Sequence, residues 1–129
     1  MTLPAKKRGF ARLQPALKHS MQGLRQAWSE PAFFMEICLA VILLPVAFVV
    51  SDTWLEICFL MALVIFVLVV EILNTSIESA IDRIGLQFHP LSQRSKDLGS
   101  AAVFLSLLLC VVVWGIALVR WILKSSILL

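Results

Sequence analysis

The sequence predicts an all-α membrane protein: three transmembrane helices preceded by an amphipathic helix on the membrane surface. Three observations predict it. Hydrophobic residues make up 60% of the 129 residues, and mean hydropathy is +0.96. A soluble domain this small buries too little surface to hide so much apolar area. The apolar residues also fall in three long runs separated by short polar turns. Finally, the charge is lopsided. Lys6, Lys7, Arg8, Arg12, Lys18 and Arg25 supply six of the eleven basic residues, and no acid precedes Glu30. A basic lead-in of this kind suits an anionic membrane surface. Nucleic acid is the rival partner for a basic arm, and the apolar remainder argues against it.

One membrane domain is expected over 1–129, opening with a basic amphipathic arm over 1–29. Phe10, Leu13, Leu17 and Leu24 recur near helical spacing, with Arg12, Lys18 and Arg25 on other faces. That pattern predicts a helix lying in the interface; a disordered basic tail is the alternative. Pro15 lacks the N–H a helix interior needs, so it starts or kinks that helix. The segment is long and interrupted, and the first apolar run begins late, so no cleavable signal peptide is expected.

Spans are expected at about 32–51, 54–84 and 97–122. The uncharged part of the first, Ile37 to Val50, is short for a span of roughly 20 residues. Extension back to Ala32 takes in Glu36, and Pro45 is expected to kink the helix. The second apolar run ends at Val70, but helical spacing continues through Ile72, Leu73, Ile77, Ala80, Ile81 and Ile84. One long helix from about Trp54 to Ile84 accounts for it, with its last turns emerging into water and Gly85 as C-cap. The third run, Leu98 to Val119, carries no charge and is long enough to span. Trp114 and Trp121 fall towards its far end, where interfacial aromatics sit. LQFHPLSQRSK between the second and third spans reads as a polar loop. Three spans put this loop and the N-terminus on one side, and the basic residues make that side cytoplasmic. Arg120 and Lys124 on the other side run against the scheme. Cys38, Cys58 and Cys110 lie inside apolar runs without metal spacing and read as small buried side chains.

Glu71, Asn74, Glu78 and Asp82 are spaced by three, four and four residues. At about 100° per residue they form one narrow stripe. Such groups facing lipid cost several kcal/mol, so the stripe faces protein, water or a metal ion. Carboxylates a turn apart repel, and a divalent cation between them removes the repulsion. Mg²⁺ prefers carboxylate oxygen and often sits with nucleotide phosphates. Glu30 and Glu36 approach from the N-terminal side, and Lys96 and Asp97 re-enter at a similar depth. The structural alternative is that these groups pair with Arg83, Lys96 or each other to hold helices together. For Asp82, beside Arg83 near the interface, a solvated face explains as much. His89 has no partner at metal spacing, so a plain loop histidine is its default. The chain has no GxxxxGK[ST] and no GxGxxG, so a nucleotide site here must be built from helices, basic side chains and a metal.

VEILNTSIESAIDRIG, followed by SQRSKDLGSAAV, closely resembles the signature of prokaryotic diacylglycerol kinases. GFARL, GLRQAW and EPAFFME resemble the family's N-terminal half, so the resemblance covers about residues 9–120. It implies a homotrimeric helical bundle in the bacterial inner membrane, with a cytoplasmic N-terminus and sites shared between protomers. It implies phosphorylation of a lipid alcohol by ATP and Mg²⁺. By position, Glu71 matches the catalytic base and also contacts lipid. Glu30 and Glu78 match the metal ligands and touch ATP. Arg12, His19, Gln87, Phe88, His89, Lys96 and Asp97 match nucleotide-contacting positions. Asn74 matches a further polar site position, and Arg12 and Ser100 match lipid-contacting ones. The chain departs from the pattern in four places. It is one residue short between Arg25 and Glu30. Phe34 and Met35 stand where many members carry Arg-Gln. Gln87 replaces a common acid, and His19 a common tyrosine. Diacylglycerol is the expected substrate, because the arm and GLRQAW look like that branch; undecaprenol is the runner-up. A small proton-coupled transporter and a non-enzymatic trimeric scaffold are the other classes. The first needs acids along a path across the bilayer, and the second leaves the stripe unexplained.

Overall fold

The computed structural model describes residues 13–127, all of whose regular structure is helical. The order is α1 (Leu13–Ala27), α2 (Pro31–Val50), α3 (Trp54–Ile84) and α4 (Pro90–Ile127). Three of these, α2, α3 and α4, are long and apolar enough to cross a membrane.

Helix α1 carries Pro15 in its first turn, where a missing N–H costs little. Leu13, Leu17, Met21 and Leu24 line one exposed stripe, as an interfacial helix requires. Phe10 and Arg12 lie outside the described residues. At the corner into α2, Trp28 packs edge-on against Phe34 with ring centroids 5.7 Å apart. Pro31 opens α2, and the helix continues through Pro45 to Val50.

The start of α3 is held by its own side chains. The Thr53 hydroxyl accepts from the Glu56 N–H at 3.3 Å, and Glu56 Oε2 accepts from the Asp52 N–H at 2.8 Å. This is a close variant of the capping box. At 31 residues α3 is about 46 Å long, well beyond a hydrocarbon core of roughly 30 Å, so its C-terminal turns leave the bilayer. Gly85 ends it in an extended conformation, φ 167°, rather than the left-handed one common at such caps.

The polar stretch expected as a loop is mostly helix. Helix α4 begins at Pro90, ahead of the apolar run. Pro90 is pre-set for the first turn, and the His89 Nδ1 accepts from the Leu91 N–H at 3.2 Å, satisfying one orphan donor. Only Gly85 to His89 remain between α3 and α4.

Helix α3 is the middle element: it packs along both α2 and α4, which barely touch each other. The core joins Ala40, Ala47 and Val50 to Leu60, Leu63, Val64 and Val67, and to Cys110 and Trp114. Trp114 is thus a core residue rather than an interfacial anchor, whereas Trp121 is exposed. Cys110 is buried as expected, but Cys38 and Cys58 face outward. Much of the remaining apolar surface, such as Phe104, Leu105 and Val111, is exposed, which is what a lipid solvent favours.

Candidate functional site

The two polar turns of α3 nearest its middle face inward. Glu71 is 5% exposed and Asn74 9%; Glu78, one turn on, is half-buried and Asp82 exposed. The stripe therefore runs from protein interior to water. Glu71, Asn74, Thr75 and Glu78 form one wall of an open cleft of about 500 Å³. Glu30, Pro31, Ala32 and Met35 at the start of α2 form a second wall, and Ser100 and Val103 of α4 complete it. Three carboxylates and an amide thus share one cleft with no lysine or arginine in its lining. An acidic, half-enclosed space of this kind favours a cation.

The Asn74 Nδ2 donates to Glu78 Oε1 at 3.2 Å, which fixes the Glu78 carboxylate along the helix. Asn74 Oδ1 is enclosed and has no partner. It lies against Gly99 of α4, where a Cβ would run into that oxygen. Gly99 therefore sets how closely α4 approaches the polar face of α3. Among the described residues no three His, Cys, Asp or Glu side chains converge as a ready-made cage. Two carboxylates, with waters and phosphate oxygens completing the shell, are the donor set that Mg²⁺ accepts.

A second pair of overlapping clefts lies at the α3–α4 turn. Gln87, Phe88 and His89 border both, and Lys96 borders one of about 410 Å³. Lys96 Nζ pairs with Asp82 Oδ1 at 2.5 Å, one of the pairings weighed for the stripe in the sequence. Asp97 accepts from Gln93 Nε2 at 2.7 Å and borders neither space. His19 is exposed on α1, and Arg12 lies outside the described residues. Within one chain, then, Glu30, Glu71, Asn74, Glu78 and Ser100 come together. Gln87, Phe88, His89 and Lys96 form a separate group. Within one chain the side chains of Lys96 and Asp97 turn to Asp82 and Gln93.

The far end of the bundle was not legible in the sequence. Arg120 makes a two-pronged bond to Glu56, at 2.6 and 2.8 Å, and Lys124 bonds Asp52 at 2.6 Å. Partners 64 and 72 residues apart leave no local pattern. Each of the two basic residues that ran against the expected topology is thus paired with an acid.

The family model described as "Prokaryotic diacylglycerol kinase" matches residues 18–118. A protein of Haemophilus influenzae named "Diacylglycerol kinase" is 43% identical over 108 residues, covering 83% of this chain and 92% of that one. One of Escherichia coli K12 with the same name is 42% identical over 115 residues, covering 85% and 91%. A third, from Helicobacter pylori, is 39% identical over 114 residues, covering 88% and 89%.

Proposed function

Given that the chain belongs to the prokaryotic diacylglycerol kinase family, we propose that it transfers the γ-phosphoryl group of ATP to the primary hydroxyl of diacylglycerol. The reaction uses Mg²⁺, forms phosphatidic acid and takes place at the cytoplasmic face of the inner membrane. The observation that carries this reading is the cleft in which buried Glu71 stands beside Glu30, Asn74 and Glu78 with no cation in the lining. Three helices able to cross a membrane make the enzyme a multi-pass membrane protein.

Glu71 accepts the proton of the lipid hydroxyl. The freed oxygen bonds to the γ-phosphorus, the bond from that phosphorus to the β–γ bridging oxygen breaks, and ADP departs. Such transfer asks the protein for positioning and charge neutralisation. Glu30 and Glu78 hold Mg²⁺, which when bound neutralises phosphate charge. Asn74 keeps Glu78 aimed, and Ser100 meets the lipid's polar end. The acyl chains stay in the bilayer. Arg12, also a lipid contact, joins His19, Gln87, Phe88, His89, Lys96 and Asp97 on the nucleotide. In a single chain the α3–α4 turn and the Glu71 cleft are separate spaces, which supports a homotrimer whose sites combine residues of neighbouring copies. The pairing of Arg120 and Lys124 at the far end leaves the unpaired basic residues among those described, Lys18, Arg25, Arg83 and Arg94, towards the N-terminus and the α3–α4 turn, and so supports a cytoplasmic N-terminus.

The test is purified protein with Mg²⁺ and γ-labelled ATP, offered diacylglycerol and undecaprenol separately. Label in diacylglycerol is the expected result. Label in undecaprenol alone changes the substrate, and label in neither refutes the kinase reading.

A further inference from the structure

The reaction just described leaves one polar side chain of the cleft without a task. Thr75 lies on α3 between the proposed base and a proposed metal ligand, four residues after Glu71 and three before Glu78. All three border the same open cleft. Residues at these spacings are neighbours on one helix face, with about 5–6 Å between Cβ atoms. Glu71 and Thr75 therefore offer a carboxylate and a hydroxyl to one ligand, a single turn apart.

Serine and threonine inside a helix often bond back to a carbonyl three or four residues earlier. Ser95, Ser106, Ser125 and Ser126 all do so, at 2.8 to 3.0 Å. Thr75 makes no such bond with the described residues, and it is half-buried. Its O–H is a donor left for whatever fills the cleft. The charge of the cleft selects that partner. Three carboxylates and no basic residue line it, so an anionic phosphate enters only with its metal. A neutral carbonyl enters without one. Across from α3 the lining is apolar at Ala32, Met35 and Val103, with Ser100 beside them. Such a wall suits the glyceride part of a lipid. A diacylglycerol carries its hydroxyl and its nearer ester on adjacent glycerol carbons. With the hydroxyl at Glu71, that ester carbonyl falls within a turn of it.

We infer that Thr75 is a specificity-determining residue: its O–H donates to an ester carbonyl of the glycerolipid whose hydroxyl faces Glu71. This rests on the reading of the cleft as a lipid kinase site. A site that donates to a substrate group discriminates against the analogue that lacks it. A polyprenol has no ester carbonyl, so Thr75 favours diacylglycerol over an isoprenoid alcohol. The bond is the same in the ground state and the transition state, so it acts on lipid binding rather than on the chemical step.

Kinase kinetics of the wild type, Thr75→Val and Thr75→Ser test it with two lipids. One is 1,2-diacylglycerol; the other is 1,2-dialkylglycerol, which keeps the hydroxyl and has ethers in place of esters. The wild type is expected to prefer the ester lipid by about 10-fold in kcat/KM, the scale of one hydrogen bond. Thr75→Val keeps the shape and removes the donor. It is expected to lose that preference through a higher KM for the ester lipid alone, with KM for ATP and the Mg²⁺ titration unchanged. Thr75→Ser is expected to keep the preference. No preference in the wild type, a preference intact in Thr75→Val, or a loss in Thr75→Val that is equal on both lipids overturns the inference, while turnover of either glycerolipid leaves the kinase reading in place. Turnover of neither lipid by the wild type removes that reading and the inference with it. Should Thr75→Val fail to fold, Thr75→Ala takes its place in the comparison.

Discussion

At the end of the bundle built from the α2–α3 turn and the last turns of α4, Asp52, Glu56, Arg120 and Lys124 pair off as two ion pairs. At the opposite end Glu30, Glu71 and Glu78 share a cleft whose lining holds no basic residue, and an enclosed oxygen of Glu36 has no hydrogen-bond partner. Both ends place acids on membrane helices, but they treat them differently. Paired charges can be explained by what they hold together. Acids gathered without counter-charge raise the energy of the fold and persist where something outside the chain neutralises them. That contrast is why structure is proposed for one end and chemistry for the other.

The contrast breaks most easily at Glu71. Glu71→Gln keeps shape and burial and removes the proposed base, so kcat is expected to fall by about 10²–10⁴-fold, the contribution of a general base, while the folded protein survives in detergent. Turnover assays beside size-exclusion chromatography check it. A smaller effect sharpens the cleft. Asn74→Leu frees Glu78, and the Mg²⁺ needed for half-maximal rate is expected to rise by roughly 10–100-fold, as when outer partners of metal ligands are lost. Gly99→Ala pushes on the same asparagine from α4 and is expected to shift the Mg²⁺ titration in the same direction by less. At the far end Arg120→Ala breaks a solvent-exposed pair. Such pairs contribute little, so a small drop in thermal stability and an unchanged kinase rate are expected, with the drop shrinking at high salt.

The parts of this contrast were not equally legible in the sequence. Helix α3 was legible to its end, because Ile77, Ile81 and Ile84 keep helical spacing after the apolar run stops. The inward stripe was legible too, because Glu71, Asn74 and Glu78 cannot face lipid cheaply. The start of α4 was not. Its first turns are polar, and hydropathy marks where a helix enters lipid rather than where it begins; Pro90 and the His89 cap were the signals available. Trp114 was misplaced because its position near the end of an apolar run says nothing about which neighbour it packs on. The Glu56–Arg120 clasp and the Gly99–Asn74 contact join residues distant in the chain, so only the packing of α4 on α3 reveals them. The same packing separates Lys96 and Asp97 from Glu71.

The claim that one acidic end serves a cation and phosphates is tested most directly by binding. Mn²⁺ with a non-hydrolysable ATP analogue can be followed by spin resonance in the wild type, Glu78→Ala and Glu56→Ala. The account expects the bound signal to weaken sharply in Glu78→Ala and to match the wild type in Glu56→Ala. Equal binding in all three, or a loss confined to Glu56→Ala, contradicts it.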